Sequence, residues 1–192
     1  MTGTASNKGG PSIVLIGLMG VGKSSVGRRL AARLGLPFLD ADAEIEKAAG
    51  RTIEDIFEIH GEPHFREGER RVIARLLGGP TCVLAAGGGA YLDPDTRALI
   101  RERGIAIWLE ADLDLLLDRV GRRTDRPLLK KGDPRAILAK LITERYPIYA
   151  KADLKVEVKD ESIEATVERV AKALAAYQKE TPASQASGKK TT

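Results

Sequence analysis

SIVLIGLMGVGKSS, residues 12–25, decides the fold. SIVLIG (12–17) is a continuous apolar run, as a strand buried in a parallel sheet requires. It leads into G17-L-M-G-V-G22-K23-S24, which matches GxxxxGK[ST], and residues 23–34 then follow helical periodicity. Glycines let the backbone curl so that successive N–H groups face inward as an anion nest. The helix that follows adds the partial positive charge of its N-terminus. Lys23 can reach β- and γ-phosphates, and the Ser24 hydroxyl can face a magnesium ion. Full motif and context together point to a bound nucleoside triphosphate, held by Gly20, Val21, Gly22, Lys23, Ser24 and Ser25. A glycine-rich turn with a chance lysine is the weaker reading.

Outward from this loop the chain alternates. Strands are expected at 37–40, 82–87, 105–110 and 154–158. Helices are expected at 42–49, 52–60, 62–78, 94–103, 112–120, 135–151 and 161–178. Thr52 can cap the helix that carries Asp55, and Asp93 can cap the one that begins at Pro94. Such alternation implies a parallel sheet covered on both faces, with ligands at the carboxyl ends of its strands. The 192 residues suit one domain, expected over 12–179. MTGTASNKGGP (1–11) reads as a disordered leader, and the tail from 180 to 192 reads the same way.

Bulk properties exclude several roles. Net charge is +4, but the basic residues form no single block, and aromatics make up only 4% of the chain. A nucleic-acid surface therefore has little support. No apolar run nears the ~20 residues that span a bilayer. The single cysteine, Cys82, forbids an internal disulfide, reads as a buried strand residue, and fits a reducing compartment. Cytoplasm is the expected location. Trp108 reads as core, and His60 and His64 as surface or packing residues.

A guanine-nucleotide switch is disfavoured. D118-R-V-G121 spells DxxG, but within an expected helix and late in the chain; A150-K-A-D153 lacks the asparagine of NKxD. A small-molecule kinase needs an acceptor pocket and a cover that excludes water. Asp40 and Asp42 follow the second strand. GEPHFREGE (61–69) sets Arg66 and Glu69 three apart on one helix face. Gly87, Gly88 and Gly89 end the third strand and leave room for backbone donors. RTDRPLL (123–129) lies in the polar segment 121–134, the expected cover, and RYPIY (145–149) in the penultimate helix. Each charged residue also has an ordinary reading: Asp40 and Asp42 as helix caps, Arg66 paired with Glu62 or Glu69, Arg145 paired with Glu144.

In this order and spacing, the phosphate loop, DxD, GExxFRxxE, GGG, RPLL and RxPxY resemble the shikimate kinase family over roughly residues 12 to 155. The resemblance implies an α/β fold: a three-layer, nucleoside-monophosphate-kinase-like P-loop domain whose five parallel strands run in the order 2-3-1-4-5. It implies phosphoryl transfer from ATP to the 3-hydroxyl of shikimate, with Mg2+, in a protein expected to be a monomer. It further implies a magnesium-side role for Asp40 beside Ser24. Asp42 would hold the substrate hydroxyls and take a proton. A carboxylate clamp would be formed by Arg66 and Arg145, which Glu69 orients, and the substrate would lie against Gly87, Gly88 and Gly89. Substrate contacts would lie within about 42–78. Arg126 would be the lid arginine facing the transferred phosphoryl group, and Arg119 the arginine that packs on adenine. One departure is Ala86, where many members carry threonine. On chemistry alone, one acid and two arginines would also suit another hydroxy acid such as gluconate.

Overall fold

A computed structural model describes residues 10–122 and 132–181. The expected lid arginine, Arg126, and most of the expected lid lie outside the described residues, as do most of the expected leader and tail.

Strand β1 (Ser12–Ile16) is buried at every position, which accounts for its unbroken apolar sequence. It sits at the centre of a five-stranded, wholly parallel sheet in the order β2-β3-β1-β4-β5. The other strands are β2 (Phe38–Asp40), β3 (Val83–Ala85), β4 (Gly104–Glu110) and β5 (Leu154–Glu157). From β1 the chain passes to the far edge for β2, returns between them as β3, then crosses to the other side for β4. Strand order thus reverses about β1, and the crevice beyond its carboxyl end is where a ligand fits.

The helices are α1 (Lys23–Leu34), α2 (Ala41–Ala49), α3 (Ile53–Leu77), α4 (Pro94–Arg103), α5 (Leu113–Gly121), α6 (Pro134–Tyr149) and α7 (Ile163–Glu180). Thr52 accepts from the Asp55 amide and Asp55 returns the bond, a full capping box. Asp93 caps α4, with Pro94 at its first position. The two helices expected at 52–60 and 62–78 are the two arms of α3, separated at Gly61, whose φ 77 and ψ 172 are not helical. A short 3-10 turn, Ala90–Leu92, follows the glycines and has no counterpart in the expected elements. Helix α7 runs through Glu180, where the tail was expected to begin.

Trp108 is 4% exposed, a core residue as expected. Cys82 is buried too, one residue before β3, with its amide donating to the Ser12 hydroxyl. His60 and His64 are exposed, their rings tilted by 38° with centroids 4.6 Å apart on α3. Among the described residues no helix is long and apolar enough to cross a membrane.

Candidate active site

The loop between β1 and α1 turns on three glycines in the left-handed region: Gly17 (φ 147), Gly20 (φ 83) and Gly22 (φ 102). A side chain at these positions would be strained, so the motif's glycines are conformational requirements. Gly22 is also the N-cap of α1. Lys23 folds back over the loop, its Nζ donating to the carbonyls of Gly17 (2.9 Å) and Leu18 (3.1 Å). The loop residues Gly20 to Ser25 line a cleft of about 650 Å³. Arg119, near the end of α5, donates to the Val21 carbonyl (3.1 Å) and to the Lys159 carbonyl (3.2 Å). It therefore joins the phosphate loop to the turn after β5, on a side of the cleft also lined by Val158, Ile163 and Thr166.

Asp40 closes β2 and Ser24 stands in the first turn of α1, and the Ser24 hydroxyl donates to Asp40 Oδ2 across 2.7 Å. The other Asp40 oxygen accepts from the Asp42 amide at 3.1 Å, so Asp40 is the cap of α2. This corrects the reading of Asp42 as a cap: the helix begins one residue after Asp40, and Asp42 stands in its first turn. Asp42 faces the glycine loop instead, and a Cβ on Gly87 would stand 2.9 Å from its Oδ1. A hydroxyl and a carboxylate at the phosphate loop form a hard oxygen donor set, which fits Mg2+. Among the described residues no group of three His, Cys, Asp or Glu side chains gathers to cage an ion. Phosphate oxygens and water would supply the remaining ligands.

Beyond Asp42 the cleft turns basic. Arg66 Nη1 donates to Glu69 Oε2 at 2.6 Å, while its Nε and Nη2 donate to Glu62 Oε1 at 3.2 and 3.1 Å. Both pairings foreseen for Arg66 on a helix are therefore made, and the residue lines the cleft as well. Burial works against its charge, but Glu69 and Glu62 outweigh it and hold the guanidinium above its ordinary pKa. Glu69 is 3% exposed, and its Oε1 has no hydrogen-bond partner among the described residues. Burial pushes this carboxyl up, and the nearby Asp42 adds to the push, against Arg66. Glu69 Oε1 and Asp42 Oδ1 both approach Gly87 from the side where its Cβ would be. Arg145, on α6, brings Nη1 to 3.2 Å from the Cβ position of Gly88.

One cleft thus collects Gly20, Val21, Gly22, Lys23, Ser24, Ser25, Asp40, Asp42, Arg66, Gly87, Gly88, Gly89, Arg119 and Arg145. Ile53 also lines it and carried no sequence signal beyond that of an ordinary helical apolar residue, and so does Phe65, the aromatic of GExxFRxxE. Tyr149 was visible in RYPIY without a role; it is fully buried behind the glycines. Ala86, the departure noted in sequence, is 1% exposed and lines the cleft.

The family model for shikimate kinase matches residues 19–175. A shikimate kinase of Paramagnetospirillum magneticum is 60% identical over 172 residues, covering 90% of this chain and 88% of its own. One from Rhodopseudomonas palustris is 60% identical over 165 residues, covering 86% and 81%. Among solved structures, the shikimate kinase of Acinetobacter baumannii in complex with shikimate superposes with a TM-score of 0.82 at 38% identity, covering 86% of this chain and 93% of that one. A gluconokinase from Sinorhizobium meliloti, at 21% identity and a TM-score of 0.60 over 88% and 94% of the two chains, shares the fold.

Proposed function

The chain belongs to the shikimate kinase family, and on that premise we propose how its cleft carries out the reaction. The activity is transfer of the ATP γ-phosphoryl group to the 3-hydroxyl of shikimate, giving shikimate 3-phosphate and ADP on the route to chorismate. The supporting observation is the convergence of Arg66 and Arg145 on Gly89 and Gly88, beside Asp42 and in the same cleft as the phosphate loop. An acceptor with one carboxylate and several hydroxyls meets two guanidinium forks and one acid there.

Phosphoryl transfer passes through a loose transition state, so catalysis rests on positioning and charge neutralisation. In our reading Lys23 exchanges the loop carbonyls for phosphate oxygens. The amides of Gly20 to Ser25 hold the same charge. Arg66 and Arg145 grip the carboxylate and aim the ring, with Gly87, Gly88 and Gly89 giving it room. Asp42 accepts the proton of the 3-hydroxyl as that oxygen bonds to the γ-phosphorus. The bond from phosphorus to the bridging oxygen breaks, and ADP leaves. Ser24 and Asp40 would hold Mg2+. Bound there, the ion supplies positive charge against the β- and γ-phosphates. Arg119 moves from its carbonyl partners toward adenine. Arg126 lies outside the described residues; its role at the transferred phosphoryl group, within a lid over 121–134, rests on the sequence resemblance.

We read the protein as a cytoplasmic monomer that uses no nucleic-acid or membrane partner; size-exclusion with light scattering tests the monomer. For the reaction, ADP release is followed with shikimate, gluconate and AMP offered in turn, with and without magnesium. Strong stimulation by shikimate alone, dependent on magnesium, is expected. Equal turnover of gluconate, or none of shikimate, refutes the reading.

A further inference from the structure

The Tyr149 hydroxyl lies between two parts of the cleft that come from distant segments. Arg145 and Tyr149 stand four apart on α6 and so share a helix face. Tyr149 is 0% exposed. Its hydroxyl donates to the Gly88 carbonyl, and the hydroxyl and Arg145 Nη1 converge on that glycine, 3.9 and 3.2 Å from the point where a Cβ on Gly88 would stand. A phenol has one hydrogen, and here Gly88 takes it; only lone pairs then face Arg145, which has donors alone. The arrangement is self-consistent: the hydroxyl gives its hydrogen to a backbone carbonyl and leaves its lone pairs for the permanent cation beside it. Burial pushes the Tyr149 pKa up, so that hydrogen stays in place at neutral pH. The ring is held from behind, with the Trp108 and Tyr146 rings 6.2 and 6.3 Å away.

We propose that Tyr149 is a positioning residue for the acceptor carboxylate: its hydroxyl ties Arg145 to the Gly88 carbonyl and fixes that guanidinium at the glycine loop. The inference rests on the reading of Arg145 as half of the carboxylate clamp. Arg145 has five N–H donors. With one side held by Tyr149, the remaining fork faces the cleft in one orientation, so the carboxylate meets it without first ordering a long side chain. The nucleotide gains nothing from this link, because among the described residues the Tyr149 hydroxyl donates to the Gly88 carbonyl and not to the phosphate loop.

The test is steady-state turnover of the full chain, with KM for shikimate and for ATP measured separately. Tyr149→Phe keeps the ring and removes the hydroxyl. Shikimate KM should rise roughly tenfold, as for a lost hydrogen bond to a charged group, with ATP KM changed by less than about twofold. Tyr149→Met, which refills the space with a flexible chain, should give the same selective shift. In an Arg145→Lys background, Tyr149→Phe should add less than about twofold, because the hydroxyl acts through that guanidinium. A purely structural tyrosine would lower the melting temperature and leave both KM values alone, and that result overturns the proposal. So does a rise shared equally by ATP, or a full multiplicative effect in the Arg145→Lys background. Wild-type protein that does not turn over shikimate would instead refute the function, which separates the two failures.

Discussion

The Arg66 guanidinium lies over Gly89 so closely that a Cβ there would stand 2.4 Å from both Nη1 and Nη2. Gly89 itself has φ −95 and ψ −17, a conformation open to any residue. The glycine is therefore needed for space and not for its backbone freedom. This differs from Gly17, Gly20 and Gly22, whose positive φ values demand glycine.

Gly89→Ala should separate the two requirements. The alanine is not strained, and the clashing atoms are the far end of a flexible side chain, so stability should change little. Arg66 must leave its place, so shikimate KM should rise by about ten- to a hundredfold, from lost charged hydrogen bonds of ~1.5–3 kcal/mol. ATP KM should hold. Gly68→Ala, on α3 where nothing lies within 4 Å of the added carbon, is the control. It should gain about 0.5–1 kcal/mol of stability and leave both KM values as they are. A Gly89→Ala enzyme with unchanged shikimate KM would show that Arg66 is not the clamp.

Local features were legible in the sequence, and approaches between distant segments were not. The phosphate loop, the Thr52 capping box and the Asp93–Pro94 start are set by neighbours along the chain, and all three stand in the structure. Alternating strands and helices implied the parallel sheet. The order 2-3-1-4-5 came with the family resemblance, because nothing in periodicity orders strands. Asp40 takes both the cap of α2 and the Ser24 hydroxyl; which of two aspartates caps depends on where the helix starts, to a precision of one residue. The contacts of Gly89 with Arg66, of Gly88 with Tyr149, and of Arg119 with Val21 and Lys159 join segments far apart in sequence.

Asp42→Asn tests the proton acceptor. The amide nearly matches the carboxylate in shape, and the cap of α2 is Asp40, so the fold should survive. The variant can still bond a hydroxyl but cannot take its proton. Turnover should fall by ~10²–10⁴ while shikimate KM moves far less. Single-turnover ADP formation measures the chemical step directly. Near-normal rates would reduce Asp42 to a substrate contact.

Arg126→Ala tests an arginine for which the resemblance is the only warrant. If it neutralises the phosphoryl group in the transition state, turnover should drop by ~10³–10⁵ with ATP affinity nearly unchanged. Direct titration with ATP, beside kcat, distinguishes this from a nucleotide-binding arginine, whose loss would weaken ATP first.

Glu69 gives a prediction about pH and stability. Burial raises its pKa above the ordinary 4.5, and the Arg66 pairing does not offset the rise. The folded protein therefore holds this proton more tightly than the unfolded chain does. The resulting stabilisation is complete below the unfolded value and is lost as pH rises through the folded one. Glu69→Gln keeps the shape and has no proton to lose. From acid to neutral pH, the unfolding free energy of the variant should therefore gain on that of the wild type, measured by urea denaturation at several pH values. The amide oxygen of the variant can still accept from Arg66, but without charge, so the hold on the guanidinium weakens and shikimate KM should rise severalfold. A stability difference that is flat with pH would mean Glu69 titrates alike in the folded and unfolded states. A difference that swings toward the wild type at neutral pH would mean that the 2.6 Å pairing with Arg66, and not burial, governs this carboxyl.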